Sequence, residues 1–583
     1  MLARPMRPGG AAALFDGRLD NADEIARALG RRGEKLAPDV LSILAHERWG
    51  DEFLDRFVGD FACAVWDAAG RRLILGRDPM GMRPLHYWLG HDQFLFASEP
   101  RGLLAVPQIP MRIDERYLAE WLSILPQRDG ATIYQGVERV PQGHMVVVRD
   151  GRVATRRYWH PERLPRLKLR RDGDYAEAVR ATLDEAVRCR LPPSGLVGSS
   201  LSGGLDSSGV TALAARQLAA QGRRLTAFTA VPGTPQDPAL HPGWFCDEGP
   251  LAATVAQAYP NVDHVLVRND ASPLLEAMRR RNVAVDAPPL VSSNVTWVDA
   301  IAKEEQRRGI RVHLGASSGN FTTSYDGVLA LYALLRQGRL RDLARTIRHL
   351  RQDGRGWLGI ANQTLRPFFP PALYARLRRI TGKAEPAFYE MSALNPDFLR
   401  EMGVEDRAAE FAGDMMNARV KDPMAWRVAC LLRNDRGMVV AGSQRLYDRD
   451  VRDPTADRRL VELCLTIPEE QFLLHGQRRS LIRRALAGIV PQAILDERRK
   501  GLQSADWHVG FATALPEMME EIRRLEASPL ARRCLDLPRI RRLLEEWPGS
   551  DWHRPEIWQT YKLAVTRAVA AGQFIRRIEG GNG

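Results

Sequence analysis

Ser200-Leu201-Ser202-Gly203-Gly204-Leu205-Asp206-Ser207-Ser208 decides how the rest of the chain reads. The apolar pair Leu196-Val197 leads into it, and Val210, Leu213 and Ala214 follow at helical spacing. That pattern predicts strand, glycine turn and helix. Two adjacent glycines let the backbone turn tightly and present its N–H groups. The helix N-terminus behind them adds unpaired donors and the positive end of a dipole, a place suited to phosphate or pyrophosphate. Ser202 and Ser207 add hydroxyl donors, and Asp206 is the candidate Mg²⁺ ligand, since a carboxylate there can hold a cation that bridges phosphate oxygens. The plainer alternative is a Gly-Ser turn in which Ser207 only caps a helix. No Gly-Lys-Ser/Thr follows, so the loop is not of the Walker type.

Downstream, 225–231, 262–267 and 310–314 read as strands and 251–259 as a helix. This alternation predicts a parallel, doubly wound sheet with its ligands at the carboxyl ends of the strands. Asp247 and Glu248 read as the cap of the helix at 251–259, with a second metal site as the alternative. From residue 329 the pattern is almost wholly helical. Upstream, 14–21 reads as a strand and turn, and 22–29 and 40–49 as helices, with Asn21 capping the first. Residues 57–66, 72–75, 94–97 and 132–148 carry strand signals. LPRLKLRR, at 164–171, reads as a linker.

With 583 residues, 45% apolar and 27% charged, the chain has room for more than one core and the balance of a globular protein. Cys63, Cys189, Cys246, Cys430, Cys464 and Cys534 are scattered, without a Cys-x-x-Cys pair or a histidine cluster. A disulfide framework or zinc site is therefore not expected, and a reducing cytoplasm fits. There is no run of about 18 apolar residues to span a membrane, and MLARPMRPGG lacks the apolar core of a signal peptide. A net charge of +13 and a pI near 9.7 raise nucleic acid as a partner. The arginines are spread through helical-looking stretches such as 339–355, so solvated helix faces or an anionic substrate such as ATP are the preferred accounts.

The glycine loop resembles that of the ATP pyrophosphatases, which split ATP between the α- and β-phosphates. Further strings extend the resemblance over nearly the whole chain: FDGRLDN (15–21), ERWG (47–50), GDFACAVWD (59–67), RDPMGMRPLHY (77–87), FASE (96–99), RDPTADRRLVE (452–462) and RRKGLQSADW (498–507). Together they resemble the class-B asparagine synthetase superfamily. The resemblance implies a two-domain α/β protein. Residues 1–163 would form a glutaminase-like (Ntn) α/β sandwich. Residues 164–583 would form an ATP-pyrophosphatase (PP-loop) domain with an α/β core at 172–328 and a helical region at 329–583.

Departures from the family pattern narrow the expectation. Active glutaminases of this family carry a nucleophilic cysteine right after the initiator Met, and position 2 here is Leu2. Several dozen family residues before FDGRLDN have no counterpart, so the glutaminase-like domain is expected to be truncated and inactive unless the true start lies upstream. Asp16 and Arg18 replace the family's Asn and Glu, and an arginine cannot pair with the α-ammonium of glutamine. In place of the family's G-E-G-S-D-E stands Gly315-Ala316-Ser317-Ser318-Gly319-Asn320. The glutamate of ammonia chemistry becomes Ala316, and the second Mg²⁺-binding aspartate becomes Gly319. The continuation to Tyr325 resembles the asparagine-synthetase-like macrolactam synthetases, the lasso-peptide cyclases.

That resemblance implies an AMP-forming ligase using ATP and Mg²⁺. It would adenylate an Asp or Glu side chain of a leaderless peptide and close an isopeptide ring with the N-terminal amine. A leader peptidase and a leader-recognition protein would be its partners. Ser202, Gly203, Gly204, Asp206 and Ser207 would hold the pyrophosphate, and Phe228 and Val231 would contact adenine through their backbone, although core packing predicts the same two residues. Lys500 matches the family lysine that reaches the α-phosphate and the acyl intermediate; alone, it reads equally as a solvated lysine. Asp450 and Arg452, before Pro454, match the family's E-x-R-x-P, and Asp450 is the candidate to deprotonate or position the amine, with a surface ion pair as the equal alternative. Competing readings are an asparagine synthetase using ammonia or glutamine, an RNA-modifying ATP pyrophosphatase, and a pseudoenzyme scaffold of a biosynthetic complex.

Overall fold

Among the described residues, eight strands build the N-terminal layer: β1 (Ala12–Gly17), β2 (Phe61–Asp67), β3 (Arg72–Arg77), β4 (His86–Leu89), β5 (Phe94–Ala97), β6 (Val137–Arg139), β7 (His144–Arg149) and β8 (Arg152–Arg157). They form two antiparallel sheets, β1-β2-β3-β7-β8 and β5-β4-β6. The period of two sends successive side chains to opposite faces. On β2, Phe61, Cys63 and Val65 pack with Ile25 and Ile43 of the helices Ala22–Ala28 and Pro38–Trp49, while Ala62 and Ala64 join Leu75, Leu85, Val140 and Val146 between the sheets. Asn21 stands at the N-cap of the first helix but does not cap it with its side chain. Its amide nitrogen donates to the Arg56 carbonyl at 2.9 Å and its amide oxygen accepts from Val58 N–H at 3.0 Å, tying the helix start to the approach to β2.

The computed structural model describes residues 11–268, 273–369, 392–408 and 422–580, together with 373, 376 and 380; Leu2 lies outside them. The second domain contributes β9 (Val197–Ser200), β10 (Leu225–Val231), β11 (Trp244–Phe245), β12 (Val262–Arg268), β13 (Val312–Leu314), β14 (Asp450–Arg452) and β15 (Lys500–Gly501). Five of them form a parallel sheet in the order β12-β10-β9-β13-β14. The helices Asp172–Arg190 and Leu205–Ala219 cover one face through Val179, Leu183, Val210 and Leu213, and Ser293–Arg307 covers the other through Ala300 and Ile301. Chain order reverses between β9 and β13, so the loops leaving these strands open side by side. β14 comes from the stretch read as helical and completes the sheet at its edge; β15 comes from the same stretch and pairs with β11.

Buried charge joins the two domains. The Arg77 guanidinium donates to both oxygens of Asp435, at 2.8 and 2.7 Å, and Arg83 donates to Asp450 at 2.7 Å. Arg190 donates to Asp60 at 3.1 Å and to Asp457 at 2.8 Å, while Arg18 donates to the other Asp60 oxygen at 2.7 Å. Among the described residues no helix is long and apolar enough to cross a membrane.

Candidate functional site

The loop after β9 has the backbone that its glycines allow. Gly203 has φ +67°, and a Cβ there would lie 2.7 Å from Leu251 Cβ, so a side chain is excluded on both counts. The hydroxyls of Ser202 and Ser207 lie 2.9 Å apart, and Ser202 N–H donates to Ser207 Oγ at 3.1 Å. Ser208 N–H makes the first helical bond, to the Gly204 carbonyl at 3.0 Å, which leaves the N–H groups of Leu205, Asp206 and Ser207 without helical partners. This is a cradle for an anion.

Asp206 leans toward the loop after β13. It accepts hydrogen bonds from the hydroxyls of Thr323, at 2.7 Å, and Ser324. A Cβ on Gly319 would lie 2.2 Å from Asp206 Cγ, so the carboxylate occupies the room a side chain at 319 would need. Burial pushes the Asp206 carboxyl above its ordinary value, more than the Ser324 and Thr323 bonds lower it. An ionised carboxylate with neutral hydroxyl donors and a nearby anion cradle suits Mg²⁺, which takes one or two protein carboxylates and phosphate oxygens. The donor set therefore fits the ion, with Asp206 as the carboxylate that would hold it. The loop itself is fixed by Asp453, which accepts from Ser317 N–H at 2.8 Å and Ser318 N–H at 3.1 Å.

Above these loops lies a cleft of ≈ 1120 Å³. Ser202, Gly203, Gly204, Asp206, Ser207, Phe228, Val231 and Lys500 all line it. The Phe228 carbonyl accepts from Leu201 N–H at 2.9 Å, so that backbone group is already used. Val231 continues past the last residue of β10 paired with β9 and has no ladder partner on that side. Lys500 is exposed on β15, whose pairing with β11 holds it at the rim. Lys562 braces the segment after it, donating to the carbonyls of Gln503 at 3.1 Å and Ser504 at 3.2 Å.

Asp450 and Arg452 are not brought to the cleft; Val451, between them, is. In a three-residue strand the first and third side chains share a face, and here that face meets the N-terminal domain. Asp450 accepts from Arg83 and from Arg452, both at 2.7 Å, and these cations outweigh burial and hold its carboxyl below the ordinary range. Arg452 also donates to the Arg190 carbonyl at 2.8 Å. The geometry gives the pair a bridging place between domains and offers no free carboxylate to an amine.

Glu248 likewise departs from the capping expectation. Asp247 caps the helix Gly249–Gln257, accepting from Gly249 N–H at 2.8 Å, and Glu248 lines the cleft beside Gly501, where a Cβ would lie 2.1 Å from its Oε1. Burial first, and Asp247 second, push the Glu248 carboxyl up to about 8. Between the ordinary 4.5 and about 8 the folded chain holds a proton that the unfolded chain releases, so stability falls as pH rises across that window. Glu248→Gln is expected to remove this slope: thermal midpoints at pH 5, 6.5 and 8.5 should show the variant gaining on the native protein as pH rises. Parallel pH profiles would contradict it.

Two cations that sequence reasoning missed, Arg281 and Arg436, line the cleft beside Val439 and Leu446. Burial, with Arg436 and Arg449 nearby, lowers Arg281 to about 10. Ser200 and His313, on adjacent strands, were also missed. No local pattern marks these residues, because they meet only when distant segments pack.

A glycine-loop anion cradle at the switch point of a parallel sheet, with a carboxylate for Mg²⁺ and a lysine at the rim, defines a nucleotide-dependent α/β enzyme with an amidotransferase-like domain in front. The chain belongs to the asparagine synthase family, whose model matches residues 178–568, and a glutamine amidotransferase domain model matches residues 3–159. It is 25% identical over 562 residues to asparagine synthetase 3 (glutamine-hydrolyzing) of Bacillus subtilis (strain 168), covering 94% of this chain and 84% of the relative. It is 26% identical over 592 residues to a putative asparagine synthetase (glutamine-hydrolyzing) of Mycobacterium tuberculosis, covering 97% and 85%. A shorter match, 31% over 213 residues, joins 35% of this chain to 30% of amidase chyE of Penicillium rubens. The protein is thus an asparagine-synthetase-like, ATP-dependent amide ligase, of a family that uses ATP, generally with Mg²⁺.

Proposed function

We propose that this ligase adenylates a side-chain carboxylate of a leaderless peptide and closes a macrolactam with the peptide's N-terminal amine, as in lasso-peptide biosynthesis. The observation that carries the reading is the cleft, whose ≈ 1120 Å³ exceeds the usual small-ligand pocket and reaches from the glycine loop past Lys500 to Arg281 and Arg436. That volume leaves space beside a nucleotide for a substrate larger than a free amino acid. Ala316 agrees with the reading, since an intramolecular amine needs no ammonia machinery; Gly319 bears on metal binding instead. Ser202, Gly203, Gly204 and Ser207 would cradle the pyrophosphate, Asp206 would hold Mg²⁺, and Lys500 would meet the charge that develops at the reacting acyl phosphate. The bound ion would supply charge neutralisation on the phosphate oxygens. Holding amine and carboxylate in one cleft turns the coupling into a unimolecular step.

The test is mass spectrometry of candidate core peptides with Mg·ATP, following loss of one water and formation of AMP and pyrophosphate. An N-acetylated peptide should not cyclise, and ADP as the main product would refute the pyrophosphate-type loop. The names of the two long relatives point to a second reading, asparagine from aspartate. Asparagine formed from aspartate and ammonium at a rate matching peptide turnover would replace the first reading, and no turnover of either would leave a scaffold.

Glutamine is not expected to serve as a nitrogen source. Arg18, in place of the family's glutamate, is committed to Asp60 and, at 3.3 Å, to Asp20. Incubation with glutamine should release no glutamate above a blank; clear release would overturn the expectation.

A further inference from the structure

At the carboxyl end of the sheet, beside the glycine loop, three polar side chains line up. Ser200 Oγ lies 2.8 Å from His313 Nε2, and His313 Nδ1 lies 2.6 Å from Glu305 Oε1. The second Glu305 oxygen accepts from Arg449, whose Nε donates to Ser443 Oγ at 3.0 Å. Burial alone would raise the Glu305 carboxyl, but His313 and Arg449 outweigh it and hold it below its ordinary range, so it is ionised. An ionised carboxylate only accepts, so His313 Nδ1 carries a proton toward it, and in the neutral imidazole Nε2 is left to accept from the Ser200 hydroxyl. Gly198 faces the same side of β9 as Ser200, and a Cβ there would lie 2.2 Å from Glu305 Oε1; glycine makes the room the carboxylate needs. Glu305 is sealed from solvent, whereas Ser200 and His313 both line the cleft. A hydroxyl on a base, the base oriented by a buried carboxylate, and the hydroxyl open to a ligand cleft is the arrangement of an activated serine.

We propose that Ser200, His313 and Glu305 form a nucleophilic triad, and that Ser200 takes an acyl group from an activated carboxylic acid held in the cleft. Ser200 Oγ attacks the carbonyl carbon, its proton passes to His313 Nε2, and the bond from that carbon to the leaving group breaks. The donor inside this enzyme is an acyl adenylate with AMP as leaving group, which rests on the ligase reading above; the reactivity of the serine does not. An amine then attacks the ester, the bond from the acyl carbon to Oγ breaks, His313 returns its proton to Oγ, and the amine releases one proton to solvent. Glu305 is the positioning residue.

The test uses the full chain and a fluorophosphonate, with peptide mapping by mass spectrometry. One modification is expected, on Ser200, absent from denatured protein and from Ser200→Ala. His313→Gln should slow it about a hundredfold or more, as loss of a general base does. Saturating Mg·ATP should slow it too, because Ser200 leads straight into the phosphate loop. Native protein left unmodified at Ser200, or an unchanged rate in folded His313→Gln, would overturn the proposal. Should that variant not fold, labelling of Ser200 indifferent to Mg·ATP would overturn it instead. Labelling without ring closure keeps the triad and removes the cyclase; ring closure without labelling does the reverse.

Discussion

Lys500→Ala should lower amide formation by about a hundredfold or more, the usual effect of removing one donor aimed at developing charge. Lys500 sits exposed at the cleft rim on β15, among Arg498, which pairs with Asp353, and Arg499, which pairs with Glu497. Those neighbours already have carboxylate partners, whereas the Lys500 ammonium has the cleft before it. An exposed side chain bears little packing, so Lys500→Ala should unfold at the same temperature as the native protein, and the loss is read as activity alone. ATP binding, which the proposed function gives to the glycine loop and Asp206, should change far less than turnover. Lys500→Arg should restore only part of the rate, since a planar guanidinium is not a compact ammonium. Peptide cyclised by Lys500→Ala at the native rate would remove the lysine from the site.

Asp435→Ala should cost about 3–5 kcal/mol, the range for breaking a buried ion pair from one side. Arg77 is 1% exposed and directs three further donor contacts to the carbonyls of Arg83, Gly81 and Val140, so it cannot swing out to water when Asp435 is lost. Arg139 also donates to Asp435, at 3.1 Å. Burial raises the Asp435 carboxyl, but Arg77 and Arg139 overcome this and hold it well below 3.8. Its contribution is therefore present above pH 3.8 and lost as pH falls through the depressed value. Asp435→Asn keeps an acceptor but not the charge and should lose most of the same stability. Denaturation midpoints at pH 7 for both variants check this, and an Asn variant as stable as the native protein would mean that shape, not charge, joins the domains there. Because Asp435 precedes Arg436 at the cleft, both variants should also perturb turnover.

What could be read from sequence follows the reach of each signal. The strand, glycine turn and helix at 197–219 were legible because the turn, the helical spacing and the anion cradle are all set within a few residues. Asn21 shows the limit of that reach: it holds the N-cap position, but a backbone 35 residues away claims its side chain. β14 was missed because three residues with charged ends carry no periodicity, and pairing with β13 alone makes them a strand. That same register turned Asp450 and Arg452 away from the cleft and toward Arg83.

The amino-acid order by itself determined the two-domain α/β class, the strand–glycine turn–helix and the family, since these rest on local backbone preference and contiguous strings. Only the tertiary structure decided which side chains share the cleft. Ser200 and His313 stand 113 residues apart and meet because parallel pairing sets His313 opposite Gly198 and Leu314 opposite Ser199. Glu305 reaches them from the covering helix Ser293–Arg307 because Gly198 leaves it space. Register and close packing are properties of the assembled sheet, and no stretch of the chain carries them alone.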